Sequence, residues 1–538
     1  MSSKLKALVF GACATAMSCG VSGASAQIES EGLGALDPWG RGYLAEDEQG
    51  FPKSFWRASR TEDLLPLMRD ARTRSLTPAE RTLLRRVVLS PGYAPSGDMS
   101  KALLAERARL MFDLGEAFAA ADLMGKLEES PKGIVAEELA VDLQFALGQA
   151  ASACNTVRTP GKTGEFWLRM RAVCFALEGD QAGAELAVEL AQASDIRDEW
   201  LFSAISAAFV SDGPKPAARF DTGYALTVSV LADLTVPINA VGYSRPDLAA
   251  AMAKRETLPP ELRVLAAGAG AEAGLVSPQE QLNAYAALLS EEDFQPTSPV
   301  EAALVSLAEK GSSNSDRARH IATALQASRG SSARFYAVAR LLGPALQTLK
   351  ATEETDRYAS VFAAALLSLG RPEDAQAWIA SAAAAEDAEE RAFEHHWLTG
   401  LGVLLGNDAD DRWIEALIDA ADSKGKIAAT SRLLTIFVAR DVPVPAAGRA
   451  YLVGQGENQS DGSDPTARVA AILAAAQSDA AGEAVLHLLK LTDGDPSKVP
   501  AGNLVVLLKA LDELSLDDAA DALALEATGF WKTSLASN

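Results

Sequence analysis

The sequence is poor in the residues that carry most enzyme chemistry. Histidine occurs four times in 538 residues, at His320, His395, His396 and His487, and cysteine also four times. No HExxH is present. Glu394-His395-His396 sets helical neighbours about 100° apart, so they cannot close on one ion together. No GxSxG elbow occurs, and no Ser–His–Asp set stands out by spacing. Gly161-Lys162-Thr163 matches the end of a phosphate-binding loop, but Thr156 stands where that motif needs its first glycine. The acidic runs Asp408-Ala409-Asp410-Asp411 and Asp461-Gly462-Ser463-Asp464 lack the calcium loop with its terminal Glu, and read as solvated loops. Paired carboxylates are abundant, but abundance does not supply the fixed separation a glycosidase needs. No catalytic residue, metal ligand or cofactor is assigned, and a non-enzymatic protein is expected.

Long apolar runs are also missing. After the first residues no stretch approaches the roughly 18 apolar residues of a membrane span, so none is expected in the mature chain. The opening itself reads as a secretory signal, residues 1–26. Lys4 and Lys6 precede an apolar run from Ala7 to Met17, and Ala24-Ser25-Ala26 forms the small-residue exit. Cleavage after Ala26 places the chain in the periplasm. The alternative is lipid anchoring through Cys19, where Ala16 stands in place of the usual Leu. Removing Lys4 and Lys6 with no acid takes the net charge from −23 to −25. Such a surface repels phosphate backbones and anionic headgroups, so nucleic acid is excluded as a partner and a basic partner surface is favoured.

Cys13 and Cys19 leave with the signal, and Cys154 and Cys174 remain as an even pair in an oxidising compartment. A disulfide between them is expected, and would stabilise the fold by about 3 kcal/mol.

What the sequence has is alanine and leucine at helical spacing. Phe166, Met170, Val173 and Leu177 form one stripe, flanked by Trp167 and Cys174. Thr77-Pro78-Ala79-Glu80 and Ser277-Pro278-Gln279-Glu280 each place a capping hydroxyl, a first-turn proline and a returning acid at a helix start. A repeat follows from three segments: Phe112 to Gly115 leads into Ala119–Ala121, Phe145 to Gly148 into Ala150–Ala153, and Phe175 to Gly179 into Ala182 and Ala184. The three glycines are 33 and 31 residues apart. Looser copies run from Leu367 to Gly370 and from Leu511 to Ser515. Each unit is a helical hairpin that cannot bury its apolar stripe alone, so hairpins must stack. The fold class is therefore all-α, hairpin repeats stacked into an α-solenoid. Cys154 falls on the second helix of one hairpin and Cys174 on the first helix of the next.

Trp167, Gly179, Ala182 and Ala184 resemble the tetratricopeptide-repeat family, although Arg171 and Cys174 replace its first-helix Gly and Tyr. The resemblance covers 107–192 and, weakly, 355–383 and 505–527. It implies a superhelical ligand-binding scaffold without implying a particular ligand. The array also resembles the helical half of soluble lytic transglycosylases. Their catalytic motifs are missing from 467–538, where Glu526 sits in what reads as an ordinary helix.

The expected order is signal 1–26, an aromatic-rich segment 27–60, and helical repeats 61–210. A proline-punctuated region 211–350, where the superhelix could bend, precedes repeats 351–453, a loop 454–466 and a helical block 467–538. Trp39, Tyr43, Phe51, Phe55 and Trp56 make the second segment either a strap along the solenoid or a partner-binding arm, and they are the candidate contact residues. The role expected is a scaffold or adaptor binding envelope proteins, with a glycan-binding protein or degenerate transglycosylase relative as the alternative.

Overall fold

The computed structural model describes residues 37–532, except 129, 211–212, 238–240, 292–293, 384–390, 411 and 457–465. The expected signal peptide, its exit at Ala26 and the alternative anchor Cys19 lie outside the described residues. So do Asp411, Asp461-Gly462-Ser463-Asp464 and most of the 454–466 loop. Among the described residues the chain is an all-α repeat solenoid of 26 α-helices with no β-strand, and no helix is long and apolar enough to cross a membrane.

The first ten helices are α1 (Thr61–Asp70), α2 (Pro78–Leu89), α3 (Ser100–Asp113), α4 (Ala117–Met124), α5 (Ala136–Ala146), α6 (Ala150–Val157), α7 (Glu165–Leu177), α8 (Gln181–Ala193), α9 (Glu199–Phe209) and α10 (Gly223–Leu231). The repeat glycines sit where hairpins turn. Gly115, Gly148 and Gly179 join α3–α4, α5–α6 and α7–α8 with φ of +88°, +75° and +74°. At each, the next amide donates back to the helix: Glu116 to Met111, Gln149 to Gln144 and Asp180 to Phe175. That bond satisfies a carbonyl the helix end leaves open, and it needs the left-handed backbone that glycine supplies. Cys154 on α6 and Cys174 on α7 form a disulfide, Cα atoms 5.6 Å apart, riveting neighbouring hairpins. The buried stripe of α7 is centred on Trp167, Met170 and Cys174, while Phe166 and Leu177 are only partly covered.

The middle comprises α11 (Pro246–Lys254), α12 (Pro260–Glu272), α13 (Pro278–Leu289), α14 (Pro299–Ala308), α15 (Asn314–Ser328) and α16 (Ser332–Leu346). Four of its prolines start helices, Pro246, Pro260, Pro278 and Pro299 each taking the first helical position, while Pro344 lies inside α16. The capping boxes at Thr77/Glu80 and Ser277/Glu280 are formed, and Ser298/Glu301 makes a third. The array folds back here, with α10 packed on α5 and α7.

The last ten are α17 (Ala359–Ser368), α18 (Pro372–Ala383), α19 (Ala392–Leu404), α20 (Arg412–Asp419), α21 (Lys424–Ala439), α22 (Ala446–Gly456), α23 (Thr466–Gln477), α24 (Ala481–Thr492), α25 (Ala501–Glu513) and α26 (Asp517–Ala527). Gly370 and Ser515 turn α17–α18 and α25–α26 with φ of +66° and +55°, matching the two looser copies of the repeat.

The array closes on itself. Helices α1 and α2 pack against α24, α2 also meets α26 and α16, and one apolar core runs from Trp39 to Trp531. A smaller core surrounds the disulfide. The aromatic segment seals the closure as a strap: Trp39, Phe51, Phe55 and Trp56 are all buried, and Trp56 packs on Gly482 at the start of α24. Of the two readings of this segment, strap or partner-binding arm, the burial of these four rings agrees with the strap. Tyr43 keeps partial exposure, and its hydroxyl donates to Asp122 at 2.9 Å.

Candidate functional site

Closure brings two carboxylates into one buried seam. Glu80, on α2, accepts from the Thr77 amide at 2.8 Å, the Gly494 amide at 3.1 Å and the Thr492 hydroxyl. Glu526, on α26, accepts from the Ala79 amide at 2.9 Å, while its other oxygen is buried without a partner. Burial pushes both carboxyls up, Glu526 to about 8 with Glu80 adding repulsion. Glu526 is thus no ordinary helical residue. It caps the first turn of α2 from the far end of the chain, about 450 residues away by contour.

Beside the seam lies a cleft. Two cavities, of roughly 310 and 1350 Å³, share Arg81, Glu272, Ser332 and Ala333 in their walls. The larger is lined by seven Lys or Arg and only three Asp or Glu, the reverse of a chain with 49 basic and 72 acidic residues. Its walls come from distant parts of the sequence: the α1–α2 loop, the start of α16, and the segment after α26. Several of the cations are already paired, Arg334 with Glu272 at 2.8 Å and Lys532 with Asp495 at 3.0 Å. Arg245 sits between Asp142 and Asp247 at 3.1 and 3.0 Å. Among the described residues Arg81 and Arg329 make no ion pair within 4 Å, and the Nε of each is buried without an acceptor. Burial holds both guanidinium groups below the usual arginine value, although they stay charged at neutral pH. Arg74 adds a third cation, facing Asp113 across the loop without a close pair. Sequence reading missed this site because no motif marks it. Its arginines lie about 250 residues apart and meet only through closure.

The outer surface offers a different feature. On α8, Leu186 and Leu190 stand one turn apart and are 67% and 51% exposed, and on α4 Phe118 is 61% exposed.

The remaining sequence candidates are placed as follows. Lys162 of the phosphate-loop-like tripeptide pairs with Glu137 and lies over the Trp167 ring, 4.9 Å from its centroid. His395 and His396 meet edge-on at 4.9 Å, and burial holds both below the usual histidine value. Among the described residues no group of three or more His, Cys, Asp or Glu is placed to hold a metal ion. No protein-family model, curated protein or solved structure matches this chain.

Proposed function

We propose that the protein is a non-catalytic scaffold or adaptor, exported to the periplasm, that holds protein partners in a cell-envelope machine. The machine it serves is a motility, pilus, secretion, polysaccharide-export or division or wall-growth assembly. A tetratricopeptide-like reading of the hairpins belongs to this proposal, since stacked hairpins display rigid helix faces to a partner. The observation that carries it is the Leu186–Leu190 pair. Two leucines one turn apart, held in water on the disulfide-riveted hairpin, have the form of an anchor for a partner helix or groove.

The test is a cross-linked pull-down from envelope extract with the tagged full chain. A stoichiometric protein partner is expected, and Leu186→Lys with Leu190→Lys should lose it while keeping the wild-type circular dichroism. Recovery of no partner, or equal recovery by the double variant, would overturn the reading. Co-sedimentation with purified cell-wall sacculi reports on the glycan-directed alternative.

A further inference from the structure

The cleft poses a question the scaffold reading does not answer: why an acidic protein gathers unpaired arginines around a cavity of this size. Buried guanidinium groups cost desolvation energy, and the fold offers Arg81 and Arg329 no carboxylate within 4 Å in return. Arg169, Arg317 and Arg391 also bury an Nε without an acceptor, yet each donates through a terminal nitrogen, to Asp198, the Glu309 carbonyl and the Arg357 carbonyl. Arg107, buried more deeply, donates to the carbonyls of Val88 and Ser90 at 2.7 and 2.8 Å. Among the described residues the guanidinium groups of Arg81 and Arg329 have no such carbonyl or carboxylate partner, and both open on the same cavity.

We propose that this cleft is a receptor for a small multivalent oxyanion, a ligand carrying two or more phosphate or carboxylate charges, gripped by Arg81, Arg329 and Arg74. The planar guanidinium fork fits such groups two oxygens at a time. Small-ligand pockets commonly run to about 300–1,000 Å³; the cavity of roughly 310 Å³ falls within that range, and the one of roughly 1350 Å³ that all three arginines line exceeds it and has room for a small ligand with its water.

Charge also selects for a compact ligand. Screening confines each charge to about 8 Å at physiological salt, so inside the cleft the local arginines dominate. Outside it the −23 surface turns away long polyanions, which would have to run across that surface.

Position gives the ligand a consequence. Arg74 and Arg81 belong to the first two helices and their loop, Arg329 follows α15, and Lys532 follows the last helix. A bound oxyanion bridges the beginning, middle and end of the array and stabilises the closed form by mass action.

The proposal is tested by calorimetry and thermal melting of the full exported chain with pyrophosphate, citrate and acetate. Binding of pyrophosphate or citrate with a raised melting temperature is expected, weakening with salt, and the responding probe assigns phosphate or carboxylate chemistry. Arg81→Ala with Arg329→Ala should weaken binding by at least about tenfold, whereas Arg197→Ala, at an exposed pair with Asp195, should not change it. Should the alanine pair fail to fold, Arg81→Lys with Arg329→Lys keeps the charges and removes the forks, and a several-fold loss is still expected. No heat and no melting shift with pyrophosphate or citrate at about 10 mM would overturn the proposal. So would acetate binding equally well, or binding unchanged in both double variants.

Discussion

At the scale of single residues, two glycines separate backbone strain from steric fit. Gly179 turns α7 into α8 with φ +74°, and an added Cβ there meets nothing within 4 Å. Gly179→Ala should therefore cost only the left-handed penalty, about 1 kcal/mol by urea denaturation. Gly223 has no such strain, but its Cβ would run into the backbone of α5 at Asp142 and Ala146. Gly223→Ala is expected to cost about 3 kcal/mol or more, as overpacking that side-chain motion cannot relieve. If the two losses were equal, close backbone approach would not be what seats α10. Glu526 makes a residue-scale prediction about pH. Its carboxyl is raised from 4.5 to about 8, so between those values the folded chain holds a proton that the unfolded chain releases. Stability from this group is fully present below about pH 4.5 and is lost as pH rises towards 8. Glu526→Gln keeps an acceptor for the Ala79 amide without the charge. It should stabilise the protein near pH 8 by on the order of 2 kcal/mol and change little near pH 4. Denaturation curves of both proteins at the two pH values check this, and an equal gap at both would refute it.

At the scale of elements, most of the hairpins legible in the sequence turn on glycine, with Ser515 the exception. Gly115, Gly148, Gly179 and Gly370 announce their turns because few other residues sit comfortably at positive φ. The α21–α22 and α23–α24 turns use Asp441 and Asp479 instead, at φ +56° and +55°, with the same return bond, Val442 to Phe437 and Ala480 to Ala475. Aspartate is common in acidic loops of every kind, so it hides the repeat that glycine displays. The pairing of α6 and α7 was also legible, because the expected signal segment holds two of the four cysteines and hairpin order places the other two side by side. Cys174→Ser should lower stability by about 3 kcal/mol, since a bridge 20 residues long no longer restricts the unfolded chain. Free thiols in the native protein, or a melting temperature unchanged by the substitution, would remove the bridge from this account.

At the scale of the whole molecule, the closure joins ends that a simple solenoid leaves apart. Trp56 is its wedge, fully buried between the strap, the first helices and Gly482. Ion pairs from Asp70 to Lys490 at 2.6 Å and from Arg72 to Asp493 at 2.7 Å lie on the rim and, being half exposed, contribute little. Trp56→Ala should cost about 3–5 kcal/mol. Hydrogen exchange should then show protection lost together in α1, α2 and α24, while α7 and α8, in the separate disulfide core, keep theirs. Loss confined to the strap would mean that the ends do not stabilise one another.

The sequence alone determined the helical class, the hairpin unit, the cysteine pair and the capping boxes at Thr77 and Ser277. All of these rest on local rules, in which a residue and its neighbours within about one or two turns set the backbone. Only the tertiary structure decided that Trp39, Phe51, Phe55 and Trp56 are buried, that Glu526 meets the first turn of α2, and that Arg81 and Arg329 share a cleft. Those facts depend on how much each hairpin rotates against the next. Small rotations summed over 26 helices decide whether the two ends meet, and no short segment of sequence records that sum.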